Sequence, residues 1–254
     1  MRQLSKRLGL LAHLAIIPLI VVAAVHAAPP DTPPNSHFKA VLIAGDRSAR
    51  AFDHATEAMQ TWLTAREVPQ SDIQRLSATR GLVARRGARP ATLGNVLSAI
   101  EHLHPAPGQA CFVFATSHGA YDAGLVLVPS QNFLTPEALD DALAKGCGDA
   151  PTVAVVSGCF TGGFTQPPMA RANRIVLTAA RIDRPSFGCG AGFAYTVYDR
   201  CLLSAIDHAA DWPAAYANIQ ACVSAREREM HARPSEPQAW FGAAVRDMPI
   251  PQPP

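Results

Sequence analysis

The sequence predicts an α/β domain built on a mainly parallel sheet with helices on both faces. Three observations carry that expectation. Short apolar runs alternate with segments of helical periodicity, the order that builds βαβ units. The runs are apolar on successive residues instead of alternating, as strands covered on both faces require. Residues 37–254 also suffice for one domain with a sizeable core.

The elements follow in chain order. Arg2, Lys6 and Arg7 precede an apolar stretch at 8–25, and Val25-His26-Ala27 or His26-Ala27-Ala28 offers a small-residue cleavage site, so 1–28 reads as an export signal to the periplasm or beyond. The stretch approaches the length of a membrane span, which leaves a retained N-terminal anchor open. Only in that case would a membrane be a partner. Residues 29–36 form a Pro-rich linker, 37–245 the folded domain and 246–254 a Pro-rich tail.

Strand 38–44 comes first and is followed by the turn Gly45-Asp46-Arg47-Ser48. Phe52, Ala55, Met59, Trp62 and Leu63 repeat at helical spacing up to about Glu67, before Pro69. A short strand lies at 73–76. Arg80, Arg85, Arg86 and Arg89, interspersed with Gly81, Gly87 and Pro90, read as a surface loop. Leu93, Val96, Leu97, Ile100 and Leu103 mark the next helix, and strand 111–116 follows it. Residues 124–129 are expected to make an antiparallel excursion over the carboxyl edge. Thr135 caps a helix with Pro136 at its first position and with Leu139 and Leu143 facing inward. Strand 152–156 and the apolar run 174–180 complete five strands. The rest is expected to be helical, broken at Trp212-Pro213.

If 111–116 and 152–156 are neighbours in one parallel sheet, His118 and Cys159 both emerge at its carboxyl edge, where open α/β sheets bind ligands. A thiolate attacks carbonyl carbon, and an imidazole can both promote its ionisation and protonate the leaving amine. Gly119 and Gly158 keep the flanking backbone free of Cβ atoms, and the N–H groups of Gly119 and Cys159 are candidate oxyanion donors. Either residue alone is more often structural, a cysteine as a small core hydrophobe and a histidine as a satisfied polar group. Their equivalent placement after two successive strands favours chemistry.

Other classes are disfavoured. A net charge of +2 gives no strong pull toward nucleic acid. No ligand-type residues recur at the short spacing of a structural zinc site, and no cofactor is implied. A cysteine-dependent phosphatase needs an arginine six residues after its nucleophile, where this chain has Thr165. Six cysteines in an exported chain allow disulfides. Cys111 begins one strand and Cys147 lies just before the next, which places both at the edge opposite the site and predicts a bridge there. Cys201 and Cys222, on consecutive helical segments, form the second expected pair, leaving Cys159 and Cys189 free.

The strand ending Thr116-Ser117-His118-Gly119, followed by one ending Ser157-Gly158-Cys159, resembles the legumain family of cysteine peptidases. That family includes asparaginyl endopeptidases and the catalytic subunit of GPI transamidase. The run at 158–163 and Thr178-Ala179-Ala180-Arg181 are most similar to its bacterial exported members. The resemblance spans roughly 38–200, with a weaker echo at Ser235-Glu236-Pro237-Gln238. It implies a caspase-like three-layer αβα sandwich and a cysteine endopeptidase acting on peptide or protein substrates. Cys159 would form a thioester acyl-enzyme, with His118 as general acid/base and Gly119 as oxyanion donor. A transpeptidase or transamidase of the same fold, or a non-catalytic peptide-binding scaffold, is the alternative.

For the substrate pocket the family implies an Arg-His pair at the start of the first long helix. The counterpart here is Asp53-His54, with the arginine replaced. A further pocket acid aligns near Gly188-Cys189 and is missing, and the family's histidine-orienting asparagine falls on Ala51. Asp46, Ser157 and Thr178 complete the candidate substrate-binding set. Two pockets follow: one in which Asp53 selects a basic side chain, and a small neutral one shaped by Thr178, Gly188 and Cys189, with Asp53 in solvent.

Overall fold

The computed structural model describes residues 37–254, so the expected signal and linker at 1–36 lie outside the described residues. The strands are β1 (Phe38–Ala44), β2 (Ile73–Ser77), β3 (Arg89–Pro90), β4 (Ala110–Thr116), β5 (Gly119–Ala120), β6 (Gly124–Leu127), β7 (Asn132–Leu134), β8 (Thr152–Ser157), β9 (Arg174–Thr178) and β10 (Gln238–Phe241). The helices are α1 (Arg50–Thr64), α2 (Arg80–Arg86), α3 (Leu93–Glu101), α4 (Pro136–Cys147), α5 (Val197–Ile206) and α6 (Trp212–Glu229). The main sheet has seven strands in the order β10-β9-β8-β4-β1-β2-β3, all parallel except β10, which runs antiparallel to β9. Strands β5, β6 and β7 form a small antiparallel sheet.

Burial on both faces explains the unbroken apolar runs. In β4, Phe112 and Phe114 enter one core with Met59 and Trp62 of α1 and with Leu202 and Trp212. Cys111, Val113 and Ala115 enter the other, with Val96 and Ile100 of α3 and Leu139 and Leu143 of α4. Side chains on both faces of β4 thus have helices to pack on, and the alternation that would reveal a solvent face is lost. Helix α4 starts as expected, with the Thr135 hydroxyl accepting from Ala138 N and Pro136 in its first turn.

Three elements differ from expectation. The arginine cluster begins in a helix, α2, which ends at Gly87 with φ 69°, a left-handed stop that glycine adopts without a Cβ penalty. The main sheet gains two strands, β3 and β10, one at each edge. Edge strands lack two-sided burial and so lose the signal that marked the other five, and Pro90 is tolerated there because an edge residue need not donate. Third, the tail is seated on the domain through Pro251: Met248 and Ile250 are buried, and the Pro251 carbonyl accepts from Arg66 Nε at 2.7 Å.

Both expected disulfides form. Cys111–Cys147 ties the start of β4 to the end of α4, away from the carboxyl edge, with Cα atoms 6.2 Å apart. Cys201–Cys222 joins α5 to α6 at 5.7 Å, and Cys159 and Cys189 are free. No helix among the described residues is long and apolar enough to cross a membrane.

Candidate active site

The register of the sheet brings the two loops together. Thr116 at the end of β4 lies opposite Ser157 at the end of β8, and Ser117 N donates to Ser157 O at 3.0 Å. Two residues beyond each lie His118 and Cys159. The loops touch through backbone: a Cβ on Gly119 would stand 1.8 Å from the Cys159 carbonyl oxygen, and one on Gly158 would stand 2.9 Å from Ser117 O. Only glycine fits at either position. The antiparallel β5-β6-β7 sheet then pins the histidine loop, since Ser117 Oγ donates to Val126 O and Val126 N donates to His118 O. The excursion over the carboxyl edge is therefore what holds the imidazole in place.

The His118 ring has one neighbour from the β1–α1 connection and one from the first turn of α1. Its Nε2 lies 3.3 Å from Ser48 Oγ, and the Phe52 ring meets it edge-to-face at 5.3 Å. Ser48 is itself fixed, because its N–H donates to Asp46 Oδ1 at 2.8 Å. The Cys159 sulfur rests against Ser186, whose N–H points at Sγ from 3.3 Å. Phe160, next in the chain, has φ 61° and donates its N–H to Arg184 O. A bulky residue in the left-handed region costs of order 1–3 kcal/mol and persists only where its surroundings enforce it.

The predicted pocket residues separate into three groups. Cys189 stays near the Cys159 thiol, with Asp46 close to Cys189 and Gly188 preceding it in the chain. Cys189 is half-buried against Ala44, Ala49 and Phe52, and burial, followed by the neighbouring Cys159 and Asp46, pushes its thiol up. Gly188 has φ 95° and no room for a Cβ, which would lie 2.6 Å from Val197 N. Ser157 and Thr178 lie under the site with their side chains buried, so neither forms a pocket wall. Asp53 and His54 point elsewhere. The Asp53 carboxylate is buried and accepts from the Ser77 and Thr79 hydroxyls, each at 2.6 Å. It therefore neither faces solvent nor offers a free oxygen to a substrate, because one oxygen binds the last residue of β2 and the other the segment just after it. His54 is exposed, with Nδ1 at 3.1 Å from Ala194 O.

Asp199 was missed by sequence reasoning. It is fully buried in the first turn of α5 and accepts from the Thr116 hydroxyl at 2.7 Å, directly beneath the two loops. Burial pushes its carboxyl up, opposed by the hydroxyls of Ser157, Thr116 and Thr196. The spacing Thr196-x-x-Asp199 is a helix N-terminal signature that could have drawn attention to it, and Thr196 does accept from Asp199 N. Ser48 and Ser186 carry no sequence signal. No group of three or more His, Cys, Asp or Glu among the described residues is arranged to hold a metal.

A mainly parallel sheet between two helical layers, with a thiol and an imidazole following adjacent strands at its carboxyl edge, is a caspase-like α/β arrangement. Caspase-1 from Spodoptera frugiperda superimposes with a TM-score of 0.55 at 11% identity, over 84% of this chain and 92% of the caspase. Residues 94–241 match the peptidase C13 family, the legumain family, and this is more than half of the 254 residues. The chain belongs to that family and is a cysteine-type peptidase, a hydrolase of peptide or protein substrates. No curated protein matches the chain.

Proposed function

We propose that this cysteine endopeptidase uses Cys159 as nucleophile and His118 as general acid/base. The observation that carries the assignment is the backbone contact between Gly119 and Cys159, which sets the imidazole-bearing loop on the thiol-bearing loop. The thiol proton passes to the imidazole, and Sγ attacks the substrate carbonyl carbon. The N–H groups of Gly119 and Cys159 receive the developing oxyanion. The imidazolium then protonates the departing amine, leaving a Cys159 thioester that water hydrolyses through the same histidine.

Ser48 takes the orienting part that the missing asparagine plays in the family. Accepting from Nε2–H, it leaves Nδ1 with the lone pair that moves the proton. Asp46, Gly188 and Cys189 are the candidate pocket residues, supported from below by Ser157 and Thr178. Basic selectivity through Asp53 no longer follows, because its carboxylate is engaged by Ser77 and Thr79. Export with removal of residues 1–28 belongs to the same proposal, and the two disulfides support it.

Hydrolysis of a mixed fluorogenic peptide library is the test. Cys159→Ala and His118→Ala should each abolish turnover in folded protein, and the double variant should lose no more than either single one, because the two act as a unit. Near-normal activity in either variant refutes the assignment.

A further inference from the structure

A cavity of about 270 Å³ opens beside the nucleophile and has no part in the chemistry described so far. Its walls include Ala120, two residues past His118, and Phe160, the residue after Cys159. Neither Ser186 nor the pocket candidates Asp46, Gly188 and Cys189 line it. A substrate carbonyl held between Gly119 and Cys159, with its acyl side chain turned toward Asp46 and Cys189, sends its amine side in the remaining direction. Ala120 and Phe160, which follow the two loops in the chain, make this cavity the candidate to receive it.

The lining has a definite chemistry. Ile182 in the wall is 43% exposed, and the wall residue Phe160 is met edge-to-face at 5.6 Å by Tyr121, which lies outside the lining. Two exposed carboxylates, Asp122 and Glu137, stand in the wall with no lysine or arginine among the lining residues. The adjacent Arg181 is committed to Asp183 and Glu236, and Arg184 also approaches Glu236. Phe160, Phe164 and Ile182 in the wall, beside two carboxylates with no cation among the lining residues, suit a long side chain whose aliphatic stem packs while its cationic head stays at the rim.

We propose that this cavity receives a lysine or arginine side chain from the released, amine-side part of the substrate, within the first two residues past the scissile bond. The proposal rests on the assignment of Cys159 as the acylated residue.

The test compares internally quenched peptides that share one acyl half, chosen from the library screen, and carry Lys, Ala or Glu at the two positions past the cleaved bond. A coumarin amide of the same acyl half, which has no such residues, is the reference. The Lys peptide should exceed the Glu peptide in kcat/KM by about tenfold, the size expected from two partly exposed charge pairs. In the Asp122→Asn/Glu137→Gln variant this ratio should fall to about twofold or less, with coumarin-amide hydrolysis unchanged. Asparagine keeps the left-handed backbone that Asp122 adopts at φ 56°. Equal rates for Lys and Glu peptides in the parent protein, or a preference that survives the double variant, overturn the proposal. Fluorescence anisotropy of the same peptides on Cys159→Ala protein gives the same ranking without turnover. If Cys159→Ala protein still cleaves the coumarin amide, the nucleophile assignment fails, and the anisotropy ranking still decides the cavity.

Discussion

Gly119→Ala is the most direct perturbation of the site. Gly119 has no left-handed φ, so alanine pays no conformational penalty there and the effect is one of space alone. The new Cβ would lie 1.8 Å from Cys159 O, 2.8 Å from its carbonyl carbon and 2.9 Å from its nitrogen. Real Cβ contacts do not fall below 3.0 Å, so the loops must part by at least 3.0 − 1.8 = 1.2 Å, and the opposing atoms are backbone that cannot rotate away. A misplacement of about 1 Å can cost about 100-fold, and loss of one oxyanion donor costs about 100- to 1,000-fold. We therefore expect kcat/KM on a coumarin amide to fall about 100- to 1,000-fold, mainly through kcat. Overpacking of this kind costs about 1–3 kcal/mol, a fall of roughly 3–10 °C in Tm, which leaves the protein folded at 25 °C. Gly190→Ala is the control, since nothing lies within 4 Å of the added Cβ. Activity within about threefold of the parent, at unchanged Tm, would refute the packing of these loops and the oxyanion role built on it.

Ser48→Ala removes the Nε2 partner of His118 and should lower kcat about tenfold with little change in KM, while Ser48→Thr retains most activity; equal kinetics in all three proteins would exclude the orienting role. Asp140→Asn leaves Arg174, whose side chain is 2% exposed, without its counter-charge and should cost about 3–5 kcal/mol in urea unfolding at pH 7. Burial alone would raise the Asp140 carboxyl, but hydrogen bonds from Arg171 and Arg174 hold it below its ordinary value. Its contribution is thus present above the unfolded value of about 3.9 and lost as pH falls through the lower folded one, so the gap between variant and parent should narrow only in acid. Asp199→Asn has the opposite sign. The folded carboxyl is raised by burial, so the parent loses stability as pH climbs from about 3.9 through the folded value. The variant should gain in Tm relative to the parent over that window, and a pH-independent difference would rule the mechanism out.

The sheet, its principal strands and the two catalytic candidates were legible because their signals are local. Burial on both faces writes itself into consecutive residues such as those of β4 and β8, helical period marks α1 and α3, and Thr135-Pro136 marks a helix start. The disulfide pairs followed from the same element order, since Cys111 and Cys147 fall at one edge once β4 and α4 are placed. The short edge strands β3 and β10 were hidden because a strand of two to four exposed or half-buried residues has no composition of its own. What only the tertiary structure decided is which polar group meets which. Ser48 reaches His118 across 70 residues, Asp199 reaches Thr116 across 83, and Asp53 is drawn to Ser77 and Thr79 instead of a substrate pocket. A side chain of a few ångströms finds its partner through strand register and helix rotation, and these are set by the packing of the whole core.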